Sequence, residues 1–164
     1  MATIIELSSC GKLLKLDASL DSPDQELRRI YASPVLASWM QNELSTLEST
    51  WNVELTPAQQ VDALAEIFCS GKPLTFDHQF KPLHPIRQGV WELKTADVRI
   101  FGWFPMQDCF VGWRGDLKDT IKDHGLYGGY VSETVRFREK LDLNEPKFLP
   151  GEDPHVVVSD FSYP

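Results

Sequence analysis

The chain has 164 residues, 42% of them apolar, and a formal net charge of −8. That length suits one domain around a single core, and the eighteen aromatic residues exclude a disordered chain. The acid excess excludes a protein that meets nucleic acid or anionic membrane with its whole surface, since such binding rests on Lys and Arg.

The charge is uneven. Residues 1–84 hold 6 basic and 11 acidic residues, whereas 85–164 hold 10 and 13, so a local basic patch belongs to the second half. The cysteines, Cys10, Cys69 and Cys109, are far apart and form no Cys-x-x-Cys pair. They read as small buried thiols in a reducing compartment. No secretory leader is evident at the N-terminus, and no run approaches the ~20 apolar residues of a membrane helix. A cytoplasmic location without membrane association is expected. The four histidines lack metal-site spacing, so neither a metal nor a cofactor is expected.

In chain order, Thr3–Leu7 and Lys12–Leu16 read as short strands, a hairpin or an edge strand. Residues 17–24 read as a loop. A short helix is predicted over Pro23–Tyr31, with Ser22 as N-cap. The next helix is announced by Ser33 and Pro34. Its stripe is Val35, Leu36, Trp39, Met40, Leu44 and Leu47, which Trp51 would close. Thr56-Pro57-Ala58-Gln59 has the form of a capping box, and Val61, Leu64, Ala65 and Phe68 follow at helical spacing up to Gly71. Together these predict an αα-hairpin. Residues 72–85 carry three prolines and read as an extended crossing.

The stretch from Gly89 to Arg114 reads as an antiparallel meander. In the first strand, residues 90–94, Trp91 and Leu93 share one face. The second, Val98–Phe104, is apolar except for Arg99, as suits a strand covered on both faces. Pro105-Met106-Gln107-Asp108 reads as a turn, and Cys109–Trp113 as the third strand. A helical turn over Gly115–His124 carries Lys118 and Lys122, and Gly125 with Gly128-Gly129 breaks it. A helix is predicted over Tyr130–Leu141, a loop over 142–154 and an edge strand over His155–Val158. The fold class is therefore α+β: an N-terminal helical hairpin on a small antiparallel sheet, with a C-terminal helix and edge strand.

The order of these elements resembles the RelE/HigB-like toxin superfamily, including its phage-derived relatives. The phrase that carries it is KPLHPIRQGVWELKTADVRIFGWF, through Lys81, Pro82, Leu83, Gly89, Trp91, Glu92, Leu93, Lys94, Arg99, Ile100 and Phe101. The resemblance covers about 35–141, leaving residues 1–34 as an N-terminal extension and 142–164 as a C-terminal loop and strand. It is stronger to residue 113 and loose after Arg114, where Asp116, Asp119, Asp123 and a glycine-rich turn depart from the pattern.

The resemblance implies a bacterial toxin of a toxin–antitoxin system. It would be a ribosome-dependent mRNA endonuclease needing no metal, with an antitoxin and mRNA on the ribosome as partners. It implies catalytic roles for Arg99, Arg114 and Tyr127 or Tyr130, and RNA-phosphate contacts for Lys94, Lys118 and Lys122. The chemistry is physically sound: preorganised cations stabilise charge on phosphorus, and RNA supplies its own 2′-hydroxyl. Each residue has a structural reading too. Arg99 could pair with Glu92 or Asp97, the lysines could form a solvated helix face, and both tyrosines could be packing residues. The alternative function is a non-catalytic protein-binding module on the same scaffold.

Overall fold

The computed structural model describes residues 1–20, 24–50 and 53–164. Among these, six α-helices and eight strands make a mixed α+β fold. The chain opens with helix α1 (Ile4–Ser9), which corrects the strand expected over Thr3–Leu7. The Thr3 hydroxyl accepts from the Glu6 amide at 3.1 Å, and the Glu6 carboxylate accepts from the Thr3 amide at 3.2 Å. This reciprocal cap outweighs the β preference of Ile4 and Ile5.

Strand β1 (Leu14–Lys15) is a sheet edge paired with β2 (Arg29–Ala32). β2 replaces the end of the helix predicted over Pro23–Tyr31, while Ser22 and Pro23 lie outside the described residues. Pairing decides the difference. Ile30, Tyr31 and Ala32 are buried beside a parallel neighbour, a gain that no local propensity would reveal. Arg28 fixes the approach: its guanidinium donates to the carbonyls of Phe68, Lys72 and Asp160 at 3.0, 2.9 and 2.8 Å.

Helix α2 (Pro34–Asn42) starts where Ser33 Oγ accepts from the Leu36 amide at 3.0 Å. A 3-10 turn, Leu44–Thr46, follows. Trp51 lies outside the described residues. Helix α3 (Pro57–Cys69) has the capping box read from Thr56 and Gln59, and Gly71 follows at φ +78°. Strands β3 (Leu74–Thr75), β4 (Phe80–Pro82) and β5 (Trp91–Lys94) lead into β6 (Val98–Met106) and β7 (Cys109–Leu117).

The main sheet runs in the order β1-β2-β7-β6-β5-β4. It is not wholly antiparallel, because β2 lies parallel to β7. β6 continues through Pro105 and Met106, so the turn expected over 105–108 shrinks to Gln107 and Asp108, with Asp108 at φ +63°. An irregularity between Trp103 and Met106 accommodates the proline. β7 runs on to Leu117, which places Arg114 inside a strand.

Helices α4 (Lys118–Asp123) and α5 (Tyr127–Lys140) follow. Gly128 and Gly129 lie within α5 instead of breaking the chain. Residues expected as a strand over His155–Val158 form helix α6 (Pro154–Val157), because Asp153 caps it by accepting from the His155 amide at 3.0 Å. The last strand is β8 (Phe161–Ser162), paired with β3 apart from the main sheet.

The sheet is covered on both faces. On one, Leu36, Leu64 and Phe68 pack with Leu93, Ile100 and Phe104. On the other, Phe101 packs with Tyr130 and Val131, and Trp103 with Phe137. The strand alternation that sends Trp91 and Leu93 into the first core sends Glu92 to the opposite face. Among the described residues no helix is long and apolar enough to cross a membrane.

Candidate anion-binding cleft

Strand register assembles the site. Lys81 on β4 sits opposite Glu92 on β5, and Lys94 sits opposite Arg99 on β6. Directly opposed residues on a sheet face have Cβ atoms about 5 Å apart, so four charged side chains are brought together from three strands. α4 and α5 complete the enclosure with Lys122, Tyr127, Gly128 and Val131, and the segment after β4 adds Leu83 and His84. The cleft so formed has a volume of about 400 Å³.

Its lining holds four cations, Lys81, Lys94, Arg99 and Lys122, against one carboxylate, Glu92. Opposite Lys and Arg across a ladder is a destabilising arrangement. The sheet tolerates it by tethering both side chains elsewhere. Arg99 Nη1 donates to the carbonyls of Thr95 and Val98 at 2.6 and 2.9 Å. Lys94 Nζ donates to the Asp77 carbonyl at 2.7 Å. Lys81 Nζ lies 3.7 Å from the Asp77 carboxylate.

Glu92 lines the cleft and is only 2% exposed. Burial pushes its carboxyl above the usual carboxylate range, although Arg99, Lys94, Lys81 and the Tyr127 hydroxyl all pull the other way. Its Oε2 is buried and makes no hydrogen bond. The Tyr127 hydroxyl neighbours both Glu92 and Arg99; burial, and then the charge of Glu92, push it up to about 12, so it stays protonated. Burial and the nearby Arg99 push the Lys94 ammonium down, against the pull of Glu92. An arrangement of this kind can hold a tetrahedral anion among several donors. It also keeps two proton-carrying groups, Glu92 and Tyr127, beside that anion.

Of the residues singled out from sequence, Lys94, Arg99, Lys122 and Tyr127 come together here. Arg114 and Tyr130 do not. The Arg114 guanidinium lies 3.1 Å from the Glu133 carboxylate and 3.9 Å above the Tyr130 ring. The Tyr130 hydroxyl donates to Asp116 Oδ2 at 2.7 Å. Arg114 borders a different groove with Trp39 and Glu43 of the α2 side. Lys118 starts α4, where its amide donates to the Asp97 carbonyl at 2.7 Å, and it does not line the cleft.

Asp97, an expected partner for Arg99, is held instead by Ser49 Oγ at 2.6 Å and by Thr50 Oγ1 at 3.3 Å, with Gln60 also donating to it. Lys81, His84 and Glu92 were not singled out as site residues. The signal for Lys81 and Glu92 lay in the strand alternation, once β4 is paired with β5. Among the described residues no group of three or more His, Cys, Asp or Glu side chains could hold a metal ion. Comparisons of the chain with family models, curated proteins and solved structures returned no match.

Proposed function

We propose that this protein is a RelE/HigB-like toxin that binds RNA phosphate in the cleft and cleaves the chain there by a metal-independent route. The observation that carries this reading is the gathering of Lys81, Lys94, Arg99, Lys122 and Tyr127 around Glu92 in a chain whose net charge is −8. A cationic cleft in an acidic protein focuses an anionic ligand on one place.

The scaffold this reading takes is the helical hairpin of α2 and α3 on one side of the sheet, with α5 on the other. The partners would be an antitoxin and mRNA on the ribosome, in the cytoplasm. Of the acids interleaved with the lysines after Arg114, Asp116 accepts from Tyr130, and Asp119 accepts from Thr50 at 2.9 Å.

In the reaction, the ribose 2′-oxygen attacks the adjacent phosphorus and the bond from phosphorus to the 5′-oxygen breaks. The 2′-hydroxyl proton passes to the cleft, and the departing 5′-oxygen takes up a proton from it. The products are a 2′,3′-cyclic phosphate and a 5′-hydroxyl. Arg99, Lys94, Lys81 and Lys122 stabilise the charge that builds on the phosphoryl oxygens.

The test is expression in bacteria, with RNA ends mapped, for the wild type and for Lys94→Ala combined with Arg99→Ala. Growth arrest and new RNA ends with the wild type alone are expected. No arrest and no cleavage by the wild type would sink the reading.

A second reading, a non-catalytic protein-binding module, is favoured by one observation. Arg114 and Tyr130 are both engaged by acids of their own chain. On that reading the purified protein would retain a partner protein equally well with and without Lys94 and Arg99.

A further inference from the structure

The Glu92 carboxylate stands out within the cleft. Lys94 and Arg99 Nη1 are tethered to backbone carbonyls, whereas Glu92 Oε2, the one carboxylate oxygen so placed in the cleft, is buried without a hydrogen bond, as is Arg99 Nε. The titratable groups that line the cleft with it come from each surrounding element: Lys81 from β4, His84 from the following segment, Lys94 from β5, Arg99 from β6, Lys122 from α4 and Tyr127 from α5. An anion drawn in by these cations would meet an ionised carboxylate at close range. Like charges in a shared site cannot both stay ionised, and one takes a proton.

We propose that a tetrahedral dianion enters this cleft together with one proton, which the Glu92 carboxyl takes up. The cations keep their full charge for the anion. Glu92 thus determines which form of the site binds, and anion affinity falls as the pH rises. The burial of Glu92 and the upward push on its carboxyl are consistent with this. The inference rests on the reading of the cleft as an anion site, and not on RNA cleavage.

Inorganic sulfate is the suitable probe, because unlike phosphate it does not itself titrate near neutral pH. Calorimetry of sulfate binding in buffers of differing ionisation enthalpy, from about pH 5 to about pH 8, counts the protons taken up. Wild type is expected to take up protons, approaching one per sulfate at the best pH. Glu92→Gln, a neutral isostere, is expected to bind sulfate at least as tightly and with no proton uptake. His84→Ala is expected to keep the uptake.

Sulfate binding without proton uptake by the wild type would overturn the proposal and leave the anion site standing. Uptake that persists in Glu92→Gln, or is lost in His84→Ala, would overturn it by assigning the proton elsewhere. A folded Glu92→Gln that no longer binds sulfate would overturn it as well. If wild type binds no sulfate at all, the anion-site reading fails with it.

Discussion

Burying an ionised carboxylate with one oxygen unsatisfied destabilises the folded state. For Glu92 the sign is definite. The folded state binds the proton more tightly than the unfolded chain, so the penalty is present above the ordinary carboxylate pKa and is relieved as the pH falls. Glu92→Gln is therefore expected to raise the melting temperature at neutral pH by a few degrees, and the gain should shrink on acidification. Asp97 runs the opposite way. Burial pushes its carboxyl up, but hydrogen bonds from Ser49, Gln60 and Thr50 outweigh that and leave it below the usual range. Its stabilisation is present above the ordinary carboxylate pKa and is lost as the pH falls, so Asp97→Asn should cost stability near neutrality and little in acid.

Arg99 and Arg114, both candidate catalytic cations in the sequence, part company at this scale. Arg99→Ala is expected to weaken anion binding by about tenfold or more, because charge-assisted contacts are worth roughly 1.5–3 kcal/mol. Arg114→Ala should leave anion affinity unchanged and cost about 1 kcal/mol of stability, from a partly exposed ion pair and a stacked ring. Equilibrium denaturation alongside sulfate titration separates the two. The ion pair that occupies Arg114 was not legible in the sequence, since Glu133 arrives on a helix nineteen positions away.

Elements were legible where a local signal decided them. Ser33-Pro34 and Thr56-Pro57 marked two helix starts correctly, and the Trp91–Leu93 alternation assigned β5 its faces. Thr56→Ala is expected to cost about 1 kcal/mol in chemical denaturation, the usual worth of such a cap. The same Thr-x-x-Glu signal stood at Thr3–Glu6, where two isoleucines masked it. Elements decided by distant partners were not legible. β2 exists because β7 lies beside it, and β4 was read only as an extended crossing. That missed pairing is also why Lys81 went unplaced in the site. Close approach inside the sheet makes another expectation. A Cβ at Gly102 would collide with the Val111 carbonyl and crowd the Phe110 ring. Gly102→Ala should therefore cost about 1–3 kcal/mol or more, read as a loss in denaturation midpoint.

For the molecule as a whole, the composition argued correctly that any basic surface had to be local, and most of the cleft lies on the half of the chain richer in Lys and Arg. Its members come from β4, β5, β6, α4 and α5, so no short window of sequence contains it. Anion affinity should fall as ionic strength rises, because the attraction comes from a few partly solvated charges. The claim on which the rest depends is that this cleft, and not the groove beside Arg114, receives the anion. Amide chemical-shift mapping by NMR during sulfate titration tests it most directly. Saturable shifts clustered at 81–84, 92–94, 99, 122 and 127–131 are the expected result. Shifts centred on Arg114 and Trp39, or none at all, would contradict it.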